Sequence, residues 1–310
     1  MTVMVNKKVL VTGSSGFIGS HIIREFFDLG YEVISVSRTD QSSSFTLDIS
    51  GDTDWSDVLD DIDIIVHCAA VTHDMKISED TLNSYKKINV DGTLNLARQA
   101  KTTVKRFIFL SSVKVNGEET FNSDFFADDP PNPVDPYAKS KKQAEDGLRK
   151  IAKSSEMEVV IIRPPLVYGK NPKGNLEKLA KYLDTKIPII PFGLVTFNSR
   201  SLLYIGNLVD FIHICIVHKA AGNETFLISD DCDLNTASII SLICEAIKVK
   251  PILLPVPIFL LRLLFKITGR KNYRSRLIGN LCVDVTKNKE LLGWSPKYKV
   301  KEGFYRSFRS

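Results

Sequence analysis

Tyr137 and Lys141 are four residues apart in the segment PYAKSK, which spans residues 136–141. Asp135 and Pro136 are typical of a helix start, and one helical turn places both side chains on the same face. An ammonium group beside a phenol stabilises the tyrosinate and lowers its pKa from the usual value of about 10. The pair therefore predicts a general acid and base acting at a carbon that bears a hydroxyl group.

The position of this pair, rather than its spacing, points to a site. Tyr182 and Lys186 have the same spacing and are assigned no chemistry. The first pair, however, follows an apolar run that ends in Ser111 and Ser112. Ligands of open α/β sheets bind where parallel strands end, so Ser112 is predicted to hydrogen-bond the same substrate oxygen as the tyrosine. The alternative is that both serines only cap a local turn.

Three glycines in the segment VLVTGSSGFIGSHI (residues 9–22) have the spacing of a phosphate-binding turn. They are Gly13, Gly16 and Gly19, and Ser15 adds a small polar group between them. The segment follows an apolar run and opens a helix, whose first backbone N–H groups favour an anion. It predicts a cradle for the pyrophosphate of a dinucleotide, and the alternative is a simple Gly/Ser turn.

The end of the next apolar run bears on which dinucleotide binds. An acidic residue there would bind the ribose 2′-hydroxyl of NAD, whereas this chain has Ser37 and Arg38. These two residues suit a 2′-phosphate better, so the predicted cofactor is NAD or NADP, with a slight lean to NADP. The alternative is a solvated arginine on a surface loop. Asp48 and Ile49 are predicted to flank the adenine.

Strand and helix patterns alternate in the first half of the chain. Apolar runs rich in β-branched residues predict strands at 8–12, 32–37, 63–68, 106–111 and 159–164. Helices are predicted near 17–29, 78–101 and 137–154. This alternation predicts an α/β fold in which residues 1–165 form a Rossmann domain, a doubly wound parallel sheet that binds the dinucleotide.

The second half of the chain is richer in loops and short helices. Residues 166–310 are predicted to form mainly a smaller C-terminal lobe that binds substrate, with 200–220 returning to the main domain. Within them, 199–218 is predicted to add a strand and a helix to the main sheet. Residues 256–276 are apolar and then basic, which favours a buried helix and a solvated loop over a peripheral membrane contact.

Composition limits the classes of function. Of the 310 residues, 44% are hydrophobic and 25% charged, and the net charge of +5 does not suggest nucleic-acid binding. Five scattered cysteines without a C-x-x-C motif indicate neither a disulfide framework nor a metal site. We expect no signal peptide and a location in the reducing cytoplasm.

Seven motifs occur along the chain in the order of a known family. They are TGSSGFIG, HCAA, NVDGTLNL, SSVKVNG, YAKSK, RPPLVYG and LLGWSP. Through them the chain resembles the extended short-chain dehydrogenase/reductases of the NAD-dependent epimerase/dehydratase family. It is most similar to the UDP-glucose 4-epimerase-like members from bacterial surface-polysaccharide pathways, which include lipopolysaccharide biosynthesis.

The resemblance implies roles for individual residues. Ser112, Tyr137 and Lys141 would form the catalytic set, with Lys141 also holding the ribose hydroxyls, and Asn89 would be structural. The residues implied to contact the pyrophosphate, the nicotinamide or its ribose are Gly13, Phe17, Ile18, Gly19, Ala69, Ala70 and Pro164.

The resemblance also implies how substrate binds. The implied partner is a UDP-sugar, and Asn175 and Arg200 occupy positions where the family grips the diphosphate. Arginine suits that role because it forms bidentate hydrogen bonds to phosphate. Either Arg274 or Arg276 is a weaker candidate for a second diphosphate ligand. A homodimer through two helices of the main domain is a further expectation.

Four positions depart from the family pattern. Val113 and Lys114 stand where 4,6-dehydratases have an Asp-Glu pair, which disfavours water elimination. Leu166 replaces an asparagine that hydrogen-bonds substrate, and Ser37 replaces the acid typical of tightly NAD-bound 4-epimerases.

Three functions therefore remain open on the sequence. The first is an NAD(P)-dependent 4-epimerase of a UDP-hexose or UDP-N-acetylhexosamine, acting through a 4-keto intermediate. The second is a UDP-4-keto-6-deoxy-sugar 4-reductase, which would use the same residues and consume NAD(P)H. The third is a non-catalytic protein that senses NADP, which a complete Ser/Tyr/Lys set argues against.

Overall fold

A parallel sheet of seven strands organises the part of the chain that the computed structural model describes. That part comprises residues 7–72, 78–170, 175–184, 189–190, 195–254, 256–257, 259–260 and 277–309. The strands of this described part, of which seven form the main sheet, are β1 (Lys8–Thr12), β2 (Glu32–Ser37), β3 (Phe45–Thr46), β4 (Ile64–His67), β5 (Arg106–Leu110), β6 (Glu158–Arg163), β7 (Leu166–Tyr168), β8 (Ile189–Ile190), β9 (Leu202–Tyr204), β10 (Thr225–Leu227) and β11 (Ile252–Leu253).

Helices lie between these strands. They are α1 (Phe17–Asp28), α2 (Glu79–Ser84), α3 (Thr93–Ala100), α4 (Pro136–Lys153), α5 (Asn175–Leu183), α6 (Ile205–Val217), α7 (Thr236–Ala246), α8 (Thr286–Leu292) and α9 (Val300–Phe308). A π-helical stretch, Tyr85–Gly92, joins α2 to α3, and short 3-10 turns occur at Val113–Val115 and Lys219–Ala221. The predicted helix over 78–101 is therefore one helical path with a widened centre.

The strand order creates a binding crevice. It runs β10-β6-β5-β4-β1-β2-β3, and every pair is parallel. The chain moves outward in opposite directions on the two sides of β1, so the connections that follow β1 and β4 leave the sheet on opposite faces. The carboxyl ends of β1 and β4, with Thr12 opposite His67, thus border the crevice where such sheets bind ligands.

Both faces of the sheet are covered, as its unbroken apolar strands require. Val9 and Val11 pack into a core shared with α1 and α6, whereas Leu10 between them packs into a core shared with α3 and α4. This alternation follows from the two-residue period of a strand. The predicted doubly wound α/β fold is confirmed.

One predicted strand lies elsewhere. β9 pairs with β7, Leu166 opposite Leu202, in a separate two-stranded sheet. The prediction that this strand joins the main sheet is wrong, because the free edge of β6 is taken by β10, which the sequence analysis missed. The helix of the same segment, α6, does pack on the main sheet.

A smaller core lies in the C-terminal part of the chain, where Tyr168 stacks on Phe304 and α7 packs with α9. Among the described residues, no helix has the length and apolar character needed to cross a membrane. Most of the segment 256–276, including Arg274 and Arg276, lies outside the described residues, so the helix, loop and second diphosphate ligand predicted there stay predictions.

Candidate functional site

The glycine turn brings bare backbone to the carboxyl end of β1. Gly13 has φ +71°, which favours glycine, and a Cβ there would lie 2.7 Å from the backbone nitrogen of Ala69. A Cβ at Gly19 would lie 2.3 Å from the Gly13 carbonyl oxygen. Gly16 is the N-cap of α1 and has no side chain to cap the helix, so the first N–H groups of α1 are suited to binding an anion. This geometry fits a dinucleotide pyrophosphate, with Phe17 and Ile18 in the first turn of the helix.

The Ser37 hydroxyl, at the end of β2, is engaged in hydrogen bonds within the protein. Its hydroxyl is hydrogen-bonded to Ser15 Oγ at 2.8 Å and accepts the N–H groups of Thr39 and Asp40 at 3.3 and 3.2 Å. Ser37 is buried, whereas the neighbouring Arg38 is exposed. The lean to NADP gains no support from this arrangement.

The loop after β4 is held in place by hydrogen bonds to Asn89. Asn89 Oδ1 accepts the Val71 N–H at 2.8 Å, and Asn89 Nδ2 donates to the Val71 carbonyl at 3.0 Å and to Ser140 Oγ at 3.1 Å. Asn89 is fully buried. It therefore fixes the half-buried Ala69 and Ala70, which precede Val71, relative to α4.

Asp48 and Ile49 differ in their surroundings. Asp48 is exposed, whereas Ile49 is buried against the helix that carries Gly92, where a Cβ would lie 2.7 Å from Ile49 Cγ2. Their contact with an adenine stays a prediction.

A buried histidine that the sequence analysis missed connects β4 to β1 and to α3. His67 Nδ1 is 2.8 Å from Thr12 Oγ1, and Nε2 is 2.9 Å from Thr93 Oγ1. Burial, reinforced by the charge of Lys141, lowers the pKa of His67 to about 3. The ring is therefore neutral, with one nitrogen donating and the other accepting. The HCAA motif was the available signal, since its histidine ends the strand beside β1.

Ser112, Tyr137 and Lys141 meet at the carboxyl end of β5. Tyr137 is half-buried, and its phenol lies near the Ser112 side chain. Lys141 is almost fully buried one helical turn further along α4. Its Nζ donates to the Leu110 carbonyl at 2.8 Å and lies 4.5 Å from the centre of the Phe109 ring.

Burial dominates the electrostatics of this set. It raises the pKa of Tyr137, with Asp135 and Tyr85 adding to the effect and the nearby Ser112 hydroxyl opposing it. The predicted lowering of the Tyr137 pKa by Lys141 is therefore wrong for this arrangement, in which the ammonium is directed at a carbonyl. Burial also lowers the pKa of Lys141 to about 8. A lysine with such a pKa can give up and regain a proton near neutral pH.

A buried ion pair lies beneath the set. Glu145 Oε1 and Oε2 accept from Arg163 Nε and Nη2 at 2.9 and 2.6 Å, and Ser111 Oγ donates to Oε1 at 2.5 Å. Arg163 Nη1 also donates to Asn116 Oδ1 at 3.0 Å. The pair joins α4 to the ends of β5 and β6 beside the set, and Pro164 follows Arg163. The available signal was Glu145, one helical turn after Lys141.

The predicted substrate residues lie in the C-terminal part of the chain. Arg200 is half-buried, exchanges backbone hydrogen bonds with Leu234 at 2.9 and 3.0 Å, and donates from Nη1 to the Gly279 carbonyl at 3.0 Å. Asn175 is the first residue of α5. Leu166, in the position of the family's asparagine, is 45% exposed.

Comparisons with known proteins agree with this geometry. Residues 9–229 match the model of the NAD dependent epimerase/dehydratase family. A UDP-glucose 4-epimerase from Vibrio cholerae is 42% identical and covers 96% of this chain and 93% of its own. An N-acetyl-alpha-D-glucosaminyl-diphospho-ditrans,octacis-undecaprenol 4-epimerase from Escherichia coli O157:H7 is 33% identical, covering 86% and 82%.

A solved structure shares the fold over nearly the whole length. It is the UDP-glucuronic acid 4-epimerase from Bacillus cereus in complex with NAD, with a TM-score of 0.78, 24% identity and 97% coverage of both chains. The glycine turn, the strand order and the extent of these matches lead to one assignment: the chain belongs to the NAD-dependent epimerase/dehydratase family.

Proposed function

We propose that this protein is an NAD-dependent nucleotide-sugar 4-epimerase that acts at C4 of a UDP-hexose or UDP-N-acetylhexosamine. The observation that carries the proposal is the placement of Tyr137 beside Ser112 at the carboxyl end of β5, with the buried Lys141 one helical turn away. This end of the sheet is also where the glycine turn of Gly13 opens α1. A proton-transfer group and a dinucleotide cradle therefore share one crevice.

In this proposal the chain's own residues move the proton. Tyr137 takes the proton of the sugar 4-hydroxyl and later returns it, while Ser112 hydrogen-bonds the same oxygen. Lys141 holds the ribose hydroxyls of the dinucleotide. The glycine turn, Ala69, Ala70 and Pro164 hold the rest of NAD, which supplies an acceptor and donor for the C4 hydride when bound. Hydride return to the opposite face of the 4-keto sugar inverts C4 without net oxidation.

Further observations favour epimerisation over dehydration and over reduction of a 4-keto sugar. The relatives from V. cholerae and E. coli are both 4-epimerases by name. Val113 and Lys114 supply no carboxyl group for a dehydration, and Lys114 is held in ion pairs. The reductase alternative was favoured by Ser37 and Arg38, and the internal bonding of Ser37 withdraws that support.

Product analysis tests the proposal directly. Purified protein is incubated with NAD and UDP-glucose or UDP-N-acetylglucosamine, and the sugar nucleotides are identified by NMR. We expect the C4 epimer to form without net change in reduced nicotinamide. Steady consumption of reduced nicotinamide with a UDP-4-keto-6-deoxy-sugar, and no epimer from either substrate, would instead identify a reductase.

The cofactor is proposed to be NAD rather than NADP. Support comes from the NAD-bound neighbour and from the buried Ser37, whose hydroxyl is already hydrogen-bonded, so that the exposed Arg38 has no support from Ser37 in binding a 2′-phosphate. We expect cofactor-free protein to bind NAD(H) at least tenfold more tightly than NADP(H), which is about 1.4 kcal/mol. Arg38→Ala should leave the affinity for NAD(H) within about twofold. Calorimetric titration of both dinucleotides measures the two affinities. Equal affinities would contradict the proposal that the cofactor is NAD.

Arg200 is proposed to bind the diphosphate of the substrate. Its guanidinium is half-buried and can form charge-assisted hydrogen bonds to phosphate, each contributing about 1.5–3 kcal/mol. We expect UDP to raise the melting temperature of the wild type, and Arg200→Ala to lose most of that increase. The increase caused by NAD should persist in the variant. Equal protection by UDP in both proteins would remove Arg200 from the site.

The remaining expectations are kept as proposals. A cytoplasmic location is supported by five cysteines that are all unpaired. The division into a dinucleotide domain (1–165) and a substrate lobe (166–310) is supported by the separate core around Tyr168. A homodimer stays a prediction, and a peripheral membrane contact through 256–276 stays the disfavoured alternative.

A further inference from the structure

Lys114 contacts both the Ser112 side chain and Asp135, which caps the helix that carries Tyr137. It belongs to the turn Val113–Val115, and its backbone N–H donates to Ser112 Oγ at 3.3 Å. Its Nζ donates to Asp135 Oδ2 at 2.5 Å and to Glu118 Oε1 at 2.9 Å. One residue therefore contacts both the Ser112 hydroxyl and the start of the helix that carries the tyrosine.

Asp135 connects this lysine to Tyr137. Its Oδ1 accepts the Ala138 N–H at 2.7 Å and so caps α4, while its Oδ2 accepts from Lys114. The side chains of Lys114 and Asp135 are only 19% and 15% exposed. Solvent screens such a pair less than a surface pair, so its geometry and charge are felt by neighbours.

We propose that Lys114 is a positioning residue: its ion pair with Asp135 holds the turn that carries Ser112 against the helix that carries Tyr137 and compensates the carboxylate beside the phenol. The inference rests on the proposed function, which gives Tyr137 the proton transfer. In the family pattern, 4,6-dehydratases have an acidic residue at the position of Lys114. The inference gives a role to the lysine that stands there in this chain.

The charges around Tyr137 give the direction of the effect. Among the described residues, the charged and titratable groups near it are Asp135, Tyr85, Lys141 and, behind Asp135, Lys114 and Glu118. The Asp135 carboxylate raises the pKa of the phenol. Without the ammonium of Lys114 that carboxylate acts alone, the tyrosinate is less favoured, and the pKa of Tyr137 rises further.

The test combines three variants with two measurements. Lys114→Met removes the charge, Lys114→Arg keeps it, and Lys114→Met with Asp135→Asn removes both charges while asparagine still caps the helix. The first measurement is kcat for epimerisation against pH. The second is the ultraviolet absorbance of tyrosinate against pH in NAD-loaded protein, taken as the difference from the corresponding protein that also carries Tyr137→Phe. The second measurement does not require turnover.

We expect Lys114→Met to move the acidic limb of the kcat profile and the tyrosinate titration to higher pH. On that limb a shift of half a unit to one unit lowers kcat about threefold to tenfold, with KM changed less. Lys114→Arg should restore the wild-type profile, and the double variant should return towards it. Lys142→Met is the matched control, because Lys142 forms a partly buried ion pair with Asp146 on the same helix. Its profile should be unchanged.

Two outcomes would overturn the inference. The first is an unchanged kcat profile and titration in Lys114→Met. The second is a loss of activity that Asp135→Asn does not relieve, since that would mean that Lys114 contacts the substrate itself. Absence of epimerase activity in the wild type contradicts the proposed function instead, and the tyrosinate titration then still decides the role of Lys114.

Discussion

Tyr137→Phe is expected to lower turnover by about 10² to 10⁴, the range typical of general acid–base catalysis. The substitution removes the phenol oxygen that lies near Ser112 and keeps the ring, whose centre is 6.1 Å from that of Tyr85. The fold and the affinity for NAD should therefore survive. Measurement of kcat with a UDP-sugar, together with calorimetric titration of NAD, separates chemistry from cofactor binding.

Tyr182→Phe provides a matched control for this change. Tyr182 has the same spacing to a lysine in the sequence, and it is 49% exposed on α5. Its substitution should leave turnover within about twofold. Near-normal turnover in a folded Tyr137→Phe protein would exclude Tyr137 as the proton-transfer group.

Glu145→Gln is expected to lower the free energy of unfolding by about 3–5 kcal/mol, the cost of breaking a buried ion pair from one side. Glutamine keeps the size of the side chain but leaves the Arg163 guanidinium, only 1% exposed, without its counter-charge. The hydrogen bond from Ser111 to the carboxylate is weakened as well. Urea unfolding of both proteins, with equal slopes against denaturant, measures the difference.

Two further variants show whether breaking the ion pair causes the loss of stability. Asp146→Asn changes the next residue, whose carboxylate is 46% exposed, and should cost at most about 1 kcal/mol. Replacing Glu145 and Arg163 together by methionine removes both charges and should cost less than Glu145→Gln alone. A loss below about 1 kcal/mol in Glu145→Gln would show that the pair contributes little to stability.

Local patterns account for what could be predicted from the sequence. The five apolar runs and the Gly13 turn depend on neighbours in the chain, so their periodicity and spacing were sufficient. Ser112 and Tyr137 were found because the ends of parallel strands meet at one edge of a sheet.

The features that could not be predicted depend on partners distant in the chain. Arg163 and Glu145 become an ion pair only after β6 and α4 pack together. Lys141 is directed at the Leu110 carbonyl, a backbone atom that no sequence pattern marks. Ser37 suggested a phosphate ligand by type, but its hydroxyl is bonded to Ser15 and to the turn that follows.

The last strand of the main sheet has a consequence for synthesis of the protein. β10 pairs with β6 through Phe226 opposite Ile162, yet about sixty residues separate the two strands in the chain. On the ribosome, the edge of β6 therefore stays unpaired until residues 225–227 emerge, and an unpaired apolar edge invites association with other chains. The main sheet is thus complete only after residues 164–227 have been translated, so premature termination between β6 and β10 leaves an aggregation-prone fragment.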